Sequence, residues 1–128
     1  MHVHEAITRA LELRPEQRVV EIGAGLGTLT AHLLATGADV WAIERDRDLV
    51  PIARAETAWA DNVEVREGDV LQTDWRAEAE AAGQSLLIYG NVPYNLSTDI
   101  VVGLLESGDA WTRACFMLQK EFAERIAA

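Results

Sequence analysis

The sequence predicts an α/β domain in which a mainly parallel sheet carries helices on its faces. Three observations lead there. Short apolar segments rich in β-branched residues alternate along the chain with segments whose apolar residues recur at helical spacing, the pattern of strands joined by right-handed crossovers. The first strand runs through a glycine-rich turn straight into a helix. With 128 residues the chain is long enough for one core and too short for two.

In order, Val3, Ile7, Ala10 and Leu11 mark a first helix that ends before the Pro15-Glu16 turn. The first strand starts at Arg18, where Val19, Val20 and Ile22 suit a strand buried on both faces. Leu26, Leu29 and Leu33 then give helical spacing up to a stop at Gly37. Ala38 to Glu44 is a second apolar strand, and Asp46 is placed to cap a helix that buries Leu49, Ile52 and Ala53 and frays near Trp59. Val63 to Glu67 alternates as an edge strand does. Asp74 opens a short helix over Trp75 to Ala82, which Gly83 ends. Ser85 to Tyr89 is a fully apolar strand, followed by a helix that Ser97 caps, that buries Ile100, Val101, Leu104 and Leu105, and that Gly108 closes. Arg113 to Leu118 is the fifth strand, and Gln119 to Ala128 begins a further helix. Trp41, Trp59, Trp75 and Trp111 read as packing residues, and the single Cys115 as a core thiol.

Composition narrows the class of partner. Hydrophobic residues make up 49% and charged residues 25%, the balance of a globular domain, and no apolar run approaches the roughly 18 residues of a membrane span. No signal peptide is visible, so the expected location is cytoplasmic. The net charge of −10, from 11 basic against 21 acidic residues, disfavours a broad nucleic-acid surface. Any RNA contact is therefore local or lies elsewhere. No metal site is expected.

The chemical signal begins at Gly23, Gly25 and Gly27, which let the backbone take positive φ and let a ligand approach without meeting a Cβ. The spacing is G-x-G-x-G, whereas a dinucleotide fingerprint is G-x-G-x-x-G, and Glu21 stands two positions before the first glycine. That form suits S-adenosylmethionine, which has no pyrophosphate and whose cationic end Glu21 can meet. Glu44, about twenty positions after the turn, sits where a carboxylate accepts ribose hydroxyls. Asp69 can accept an exocyclic adenine amine, with the Val70 N–H serving a ring nitrogen. Asn91-Val92-Pro93-Tyr94 follows the fourth strand, where open α/β sheets bind ligands. There the Asn91 oxygen and a nearby backbone carbonyl can accept both N–H bonds of a nucleobase amine, Pro93 fixes the turn, and Tyr94 offers a stacking surface.

Five segments, Val20 to Thr30, Ile43 to Asp48, Glu67 to Val70, Gly90 to Thr98 and Met117 to Ile126, resemble the ribosomal RNA adenine dimethyltransferases of the KsgA type. The likeness covers nearly the whole chain. It implies a Rossmann-like class I methyltransferase core with strand order 3-2-1-4-5, and transfer of methyl groups from S-adenosylmethionine to N6 of adenines in ribosomal RNA. Macrolide-resistance methyltransferases acting on large-subunit RNA share Asn-x-Pro-Tyr, while Leu118-Gln-Lys-Glu121 favours the small-subunit branch. By this resemblance the Gly23 to Gly27 loop, Glu44 and its neighbour Arg45 belong with the methionine and ribose, Asp69 and Val70 with the adenine, and Asn91 to Tyr94 with the target base.

The departures carry expectations too. Such proteins start with a Gln-x-Phe-Leu-like segment and continue past the fifth strand into antiparallel strands and a helical RNA-binding domain. Residues 1–128 are therefore expected to be a truncated cofactor-binding domain, weakly active or inactive alone, that self-associates through an exposed fifth strand. A non-catalytic binding module, a nicotinamide oxidoreductase and a methyltransferase acting on DNA or a small molecule are the competing readings.

Overall fold

A computed structural model describes residues 9, 11–92 and 94–118, without the side chains of Tyr94 and Leu118. Its elements are β1 (Arg18–Ile22), α1 (Thr28–Ala35), β2 (Asp39–Glu44), α2 (Val50–Glu56), β3 (Val63–Glu67), α3 (Trp75–Ala82), β4 (Leu86–Val92), α4 (Tyr94–Glu106) and β5 (Trp111–Leu118). The sheet runs β3-β2-β1-β4-β5 with every neighbouring pair parallel, as expected. The expected first helix lies almost wholly outside the described residues, as does the helix expected over Gln119 to Ala128.

Strand alternation divides the interior in two. Val19, Val40, Ala42, Leu87 and Tyr89 face α1 and α2, which contribute Leu33, Leu34, Val50 and Ala53. Val20, Ile22, Ile43, Leu86 and Ile88 face the other way, against Trp75 of α3 and Ile100 and Leu104 of α4. A sheet covered on both faces needs apolar residues at successive strand positions, which explains the runs Val40 to Ile43 of β2 and Leu86 to Tyr89 of β4. On the second face the Trp41 ring lies between two guanidinium groups, Arg18 at 3.9 Å and Arg66 at 4.5 Å from its centroid.

Several local expectations are corrected. Gly25 and Gly27 hold φ of 57° and 86°, so the helix cannot begin before Thr28 and Leu26 stays outside α1, 59% exposed. The buried stripe is Thr30, Leu33 and Leu34. Asp46 caps a turn rather than a helix: its side chain accepts from Asp48 N at 2.9 Å and its carbonyl from Leu49 N at 3.0 Å. Helix α2 therefore starts at Val50 and buries Val50 and Ala53, turning Ile52 outward. Trp59 is exposed, its indole N–H donating to Glu56 O, and is no packing residue. Helix α4 starts at Tyr94, which puts Ser97 inside it instead of at its cap. Ile100 and Leu104, one turn apart, take the buried stripe, while Val101 and Leu105 face solvent. Asp74 and Gly83 cap α3 as expected.

Candidate functional site

The carboxyl ends of β1, β2, β3 and β4 converge on a cleft of about 360 Å³. Gly23, Gly25, Glu44, Arg45, Asp69, Val70 and Asn91 all line it, so seven of the residues singled out from sequence come together. The volume falls at the lower end of small-molecule sites, roughly 300–1,000 Å³.

The ladder of the sheet builds the rim. Gly23 N donates to Ile43 O and Gly68 N to Glu44 O, so β1 and β3 each run one peptide past their last paired residue along β2 before turning. Gly23, at φ 82°, passes so close to β4 that a Cβ there would lie 2.8 Å from Asn91 O. Only glycine permits that approach. A Cβ on Gly25 would meet nothing within 4 Å; it would stand in the cleft. Gly27 has a different office: a Cβ there would lie 3.1 Å from the Ala53 Cα and 3.2 Å from the Glu56 Cβ, so its smallness lets α1 and α2 touch. It lines neither this cleft nor the one beside it.

Glu44 holds the turn. Its Oε1 accepts from Gly25 N at 2.7 Å and its Oε2 from Asp46 N at 2.9 Å, and the residue is buried. Each carboxylate oxygen can accept twice, so two acceptor positions remain for a ligand. Asp69 Oδ1 accepts from Leu71 N at 2.9 Å and opens the short 3₁₀ turn Val70–Gln72, which brings Val70 to the cleft wall. Ile22, Ile43, Leu49 and Leu96 supply apolar walls. The sequence motifs do not single these four out: Ile22 ends β1, Ile43 precedes the last residue of β2, Leu49 precedes α2 and Leu96 lies in the first turn of α4, so nearness to the carboxyl edge of the sheet is the signal they share.

Glu21 lies deeper. It is fully buried on the α1 face and accepts a hydrogen bond from the Thr30 hydroxyl. Desolvation pushes its carboxyl up to about 8, with Glu44 pushing the same way and Thr30 opposing. Asn91 stands within β4 rather than after it, because β5 continues the ladder with Asn91 paired to Met117 and Val92 to Leu118. Its side chain is exposed on the cleft rim. Pro93 lies outside the described residues, and Tyr94 is the first residue of α4. Cys115 is half-buried against the core and burial pushes its thiol up, as suits a packing thiol.

A parallel sheet in this order, with a glycine turn, a carboxylate ending β2 and an acidic turn after β3 around one cleft, defines a Rossmann-like cofactor-binding domain. Comparison with known proteins narrows the class. The family model described as ribosomal RNA adenine dimethylase matches residues 1–128, and the chain belongs to that family. It is 41% identical over 126 residues to ribosomal RNA small subunit methyltransferase A of Pseudomonas fluorescens, covering 98% of this chain and 46% of that protein. Among solved structures it is similar to a dimethyladenosine transferase from Plasmodium falciparum, with TM-score 0.77, 29% identity, and coverage of 98% and 44% of the two chains. The 23S rRNA methyltransferase ErmE gives TM-score 0.73 at 28% identity, covering 97% of this chain and 49% of that one. The chain thus spans about half the length of the curated relatives it matches. Among the described residues no helix is long and apolar enough to cross a membrane.

Proposed function

We propose that this chain is the S-adenosylmethionine-binding core of an enzyme that methylates N6 of adenines in ribosomal RNA, with small-subunit RNA the favoured substrate and the cytoplasm the place of action. One observation carries the cofactor reading: the Gly25 amide donates to Glu44. In a dinucleotide site the glycine turn offers such amides to a pyrophosphate. Here the donor is taken by a carboxylate, and with Asp69 across the cleft a phosphate would meet negative charge. A neutral ribose fits, and the space above Gly25 admits it. Arg45 at the rim is assigned to the same cofactor.

In this reading the remaining acceptor positions of Glu44 take ribose hydroxyls, and Asp69 accepts the adenine amine between the apolar walls of Ile43 and Leu96. Gly23 and Gly25 leave room for the methionine part, and Glu21 answers its ammonium. The bound cofactor supplies an electrophilic methyl group on a sulfonium sulfur. Asn91 Oδ1 and a backbone carbonyl near Val92 or Pro93 accept both N–H bonds of the target amine, which turns its lone pair out of the ring plane toward the methyl carbon. Pro93 holds that turn, and Tyr94 stacks on the base. After transfer the extra proton passes to water, so no residue serves as a base.

The relatives' names support the choice of small-subunit RNA, and β5, half-buried at the sheet edge, supports self-association. The test is transfer of labelled methyl from S-adenosylmethionine to unmodified small ribosomal subunits, large subunits and DNA oligomers. Label on adenines of the small subunit, lost with Asn91→Ala, is the expected result. Binding of cofactor with no transfer to any RNA, by this chain and by a form as long as its relatives, would mark a non-catalytic module instead.

A further inference from the structure

A second cavity, of about 310 Å³, lies on the α1 side of the glycine turn and shares Gly23, Gly25 and Asn91 with the cleft already described. Glu21, Leu29, Tyr89 and Met117 line it. Glu21 is the acid of this cavity. The Thr30 hydroxyl, itself completely buried on α1, bonds to its Oε1. Among the described residues, the other titratable groups facing it are Glu44 from β2 and Tyr89, its register partner on β4, with Cys115 in register beyond Tyr89 on β5. None of these is a cation.

We propose that Thr30 is a positioning residue that aims the Glu21 carboxyl into this cavity, and that a ligand ammonium arriving there displaces the carboxyl proton to water. The inference rests on the cofactor reading above, in which that ammonium is the amino group of S-adenosylmethionine. The O–H bond of Glu21 breaks, the proton goes to solvent, and the carboxylate left behind accepts from the ammonium N–H. Desolvation and Glu44 hold the carboxyl protonated near neutral pH, while a cation at hydrogen-bond distance favours the charged form. Among the described residues Thr30 is the one neighbour that favours ionisation, so it lowers the pH at which the exchange occurs. Tyr89 is pushed up to about 12 and stays a neutral phenol throughout.

The test is calorimetric titration of the 128-residue chain with S-adenosylmethionine in buffers of different ionisation enthalpy, which counts protons released per ligand. The pH is kept below the α-amino range of about 7.7–8.0, so that the ligand is a cation. Release approaching one proton is expected, falling to near zero with 5′-methylthioadenosine, which lacks the amino acid, and with Glu21→Gln. Thr30→Val is expected to weaken binding and move the midpoint of the affinity–pH profile upward, because the bond favouring the carboxylate is gone; Thr30→Ser restores both. S-adenosylmethionine binding without proton release, or with equal release for 5′-methylthioadenosine, overturns the proposal and leaves the cofactor reading standing. If Thr30→Val does not fold, the comparison of the two ligands on the unaltered chain still decides. No binding of either ligand overturns the cofactor reading and this inference with it.

Discussion

Glu44→Ala removes the acceptor of two backbone N–H groups at once, those of Gly25 and Asp46. A hydrogen bond to a charged group contributes about 1.5–3 kcal/mol, and water from the adjoining cleft can reach the amides left behind, so the lower end applies to each and the expected loss is about 3 kcal/mol. For a domain between the size classes for which the conversion is known, that corresponds to a fall of roughly 10 °C in Tm. Glu44→Gln keeps one oxygen and presents an NH₂ group to the other amide, so it should lose about half as much, roughly 1.5 kcal/mol. Urea unfolding followed by tryptophan fluorescence reads both. Superimposable curves for wild type and Glu44→Ala would refute the account of how the turn is held. The result also matters for any binding study, because Glu44→Ala weakens a ligand both by losing its ribose acceptor and by loosening the turn.

The glycines separate by role. Gly27→Ala should destabilise by about 1–3 kcal/mol through its Cβ against Ala53 and its positive φ, with cofactor affinity kept once the protein is folded. Gly25→Ala should cost about 1 kcal/mol, since no atom lies within 4 Å, yet should impair binding by filling the cleft. Chemical denaturation paired with titration distinguishes them. Trp41→Leu strips the ring from between Arg18 and Arg66 and should destabilise by about 2–3 kcal/mol in urea. Glu21 makes stability depend on pH. Its carboxyl is raised from 4.5 to about 8 on folding, so the folded state holds the extra proton across that window and stability falls as pH climbs from 4.5 to about 8. Glu21→Gln should flatten that part of the profile; an unchanged slope would count against a buried neutral acid.

How far the sequence reaches depends on whether an element is set by local or distant forces. Strand β3, helix α3 and its caps at Asp74 and Gly83 are legible because the deciding atoms lie within a few residues of each other. The length of β4 is not, since Asn91 and Val92 belong to the strand only because β5, some twenty-five residues later in sequence, supplies their ladder. Ile52, Val101 and Leu105 are apolar and outward, and composition alone cannot say which side of a helix meets the sheet. At the site, the spacing of Gly23, Gly25, Glu44, Asp69 and Asn91 was enough to gather them. The division of labour was not, because Gly27 looks like its neighbours in the motif and serves a helix contact. Nothing in the sequence marks Thr30: it sits among the leucines of α1 as an ordinary polar residue, and its contact with Glu21 forms only when the turn folds back.

The proposed function requires the cleft between Glu44 and Asp69 to be a methyl-donor site and not a nicotinamide site. Calorimetric titration of the purified chain with S-adenosylmethionine and, separately, NAD tests it most directly. Saturable binding of S-adenosylmethionine, lost with Gly25→Ala, and no binding of NAD are the expected results; binding of NAD in preference to S-adenosylmethionine would overturn the methyl-donor reading.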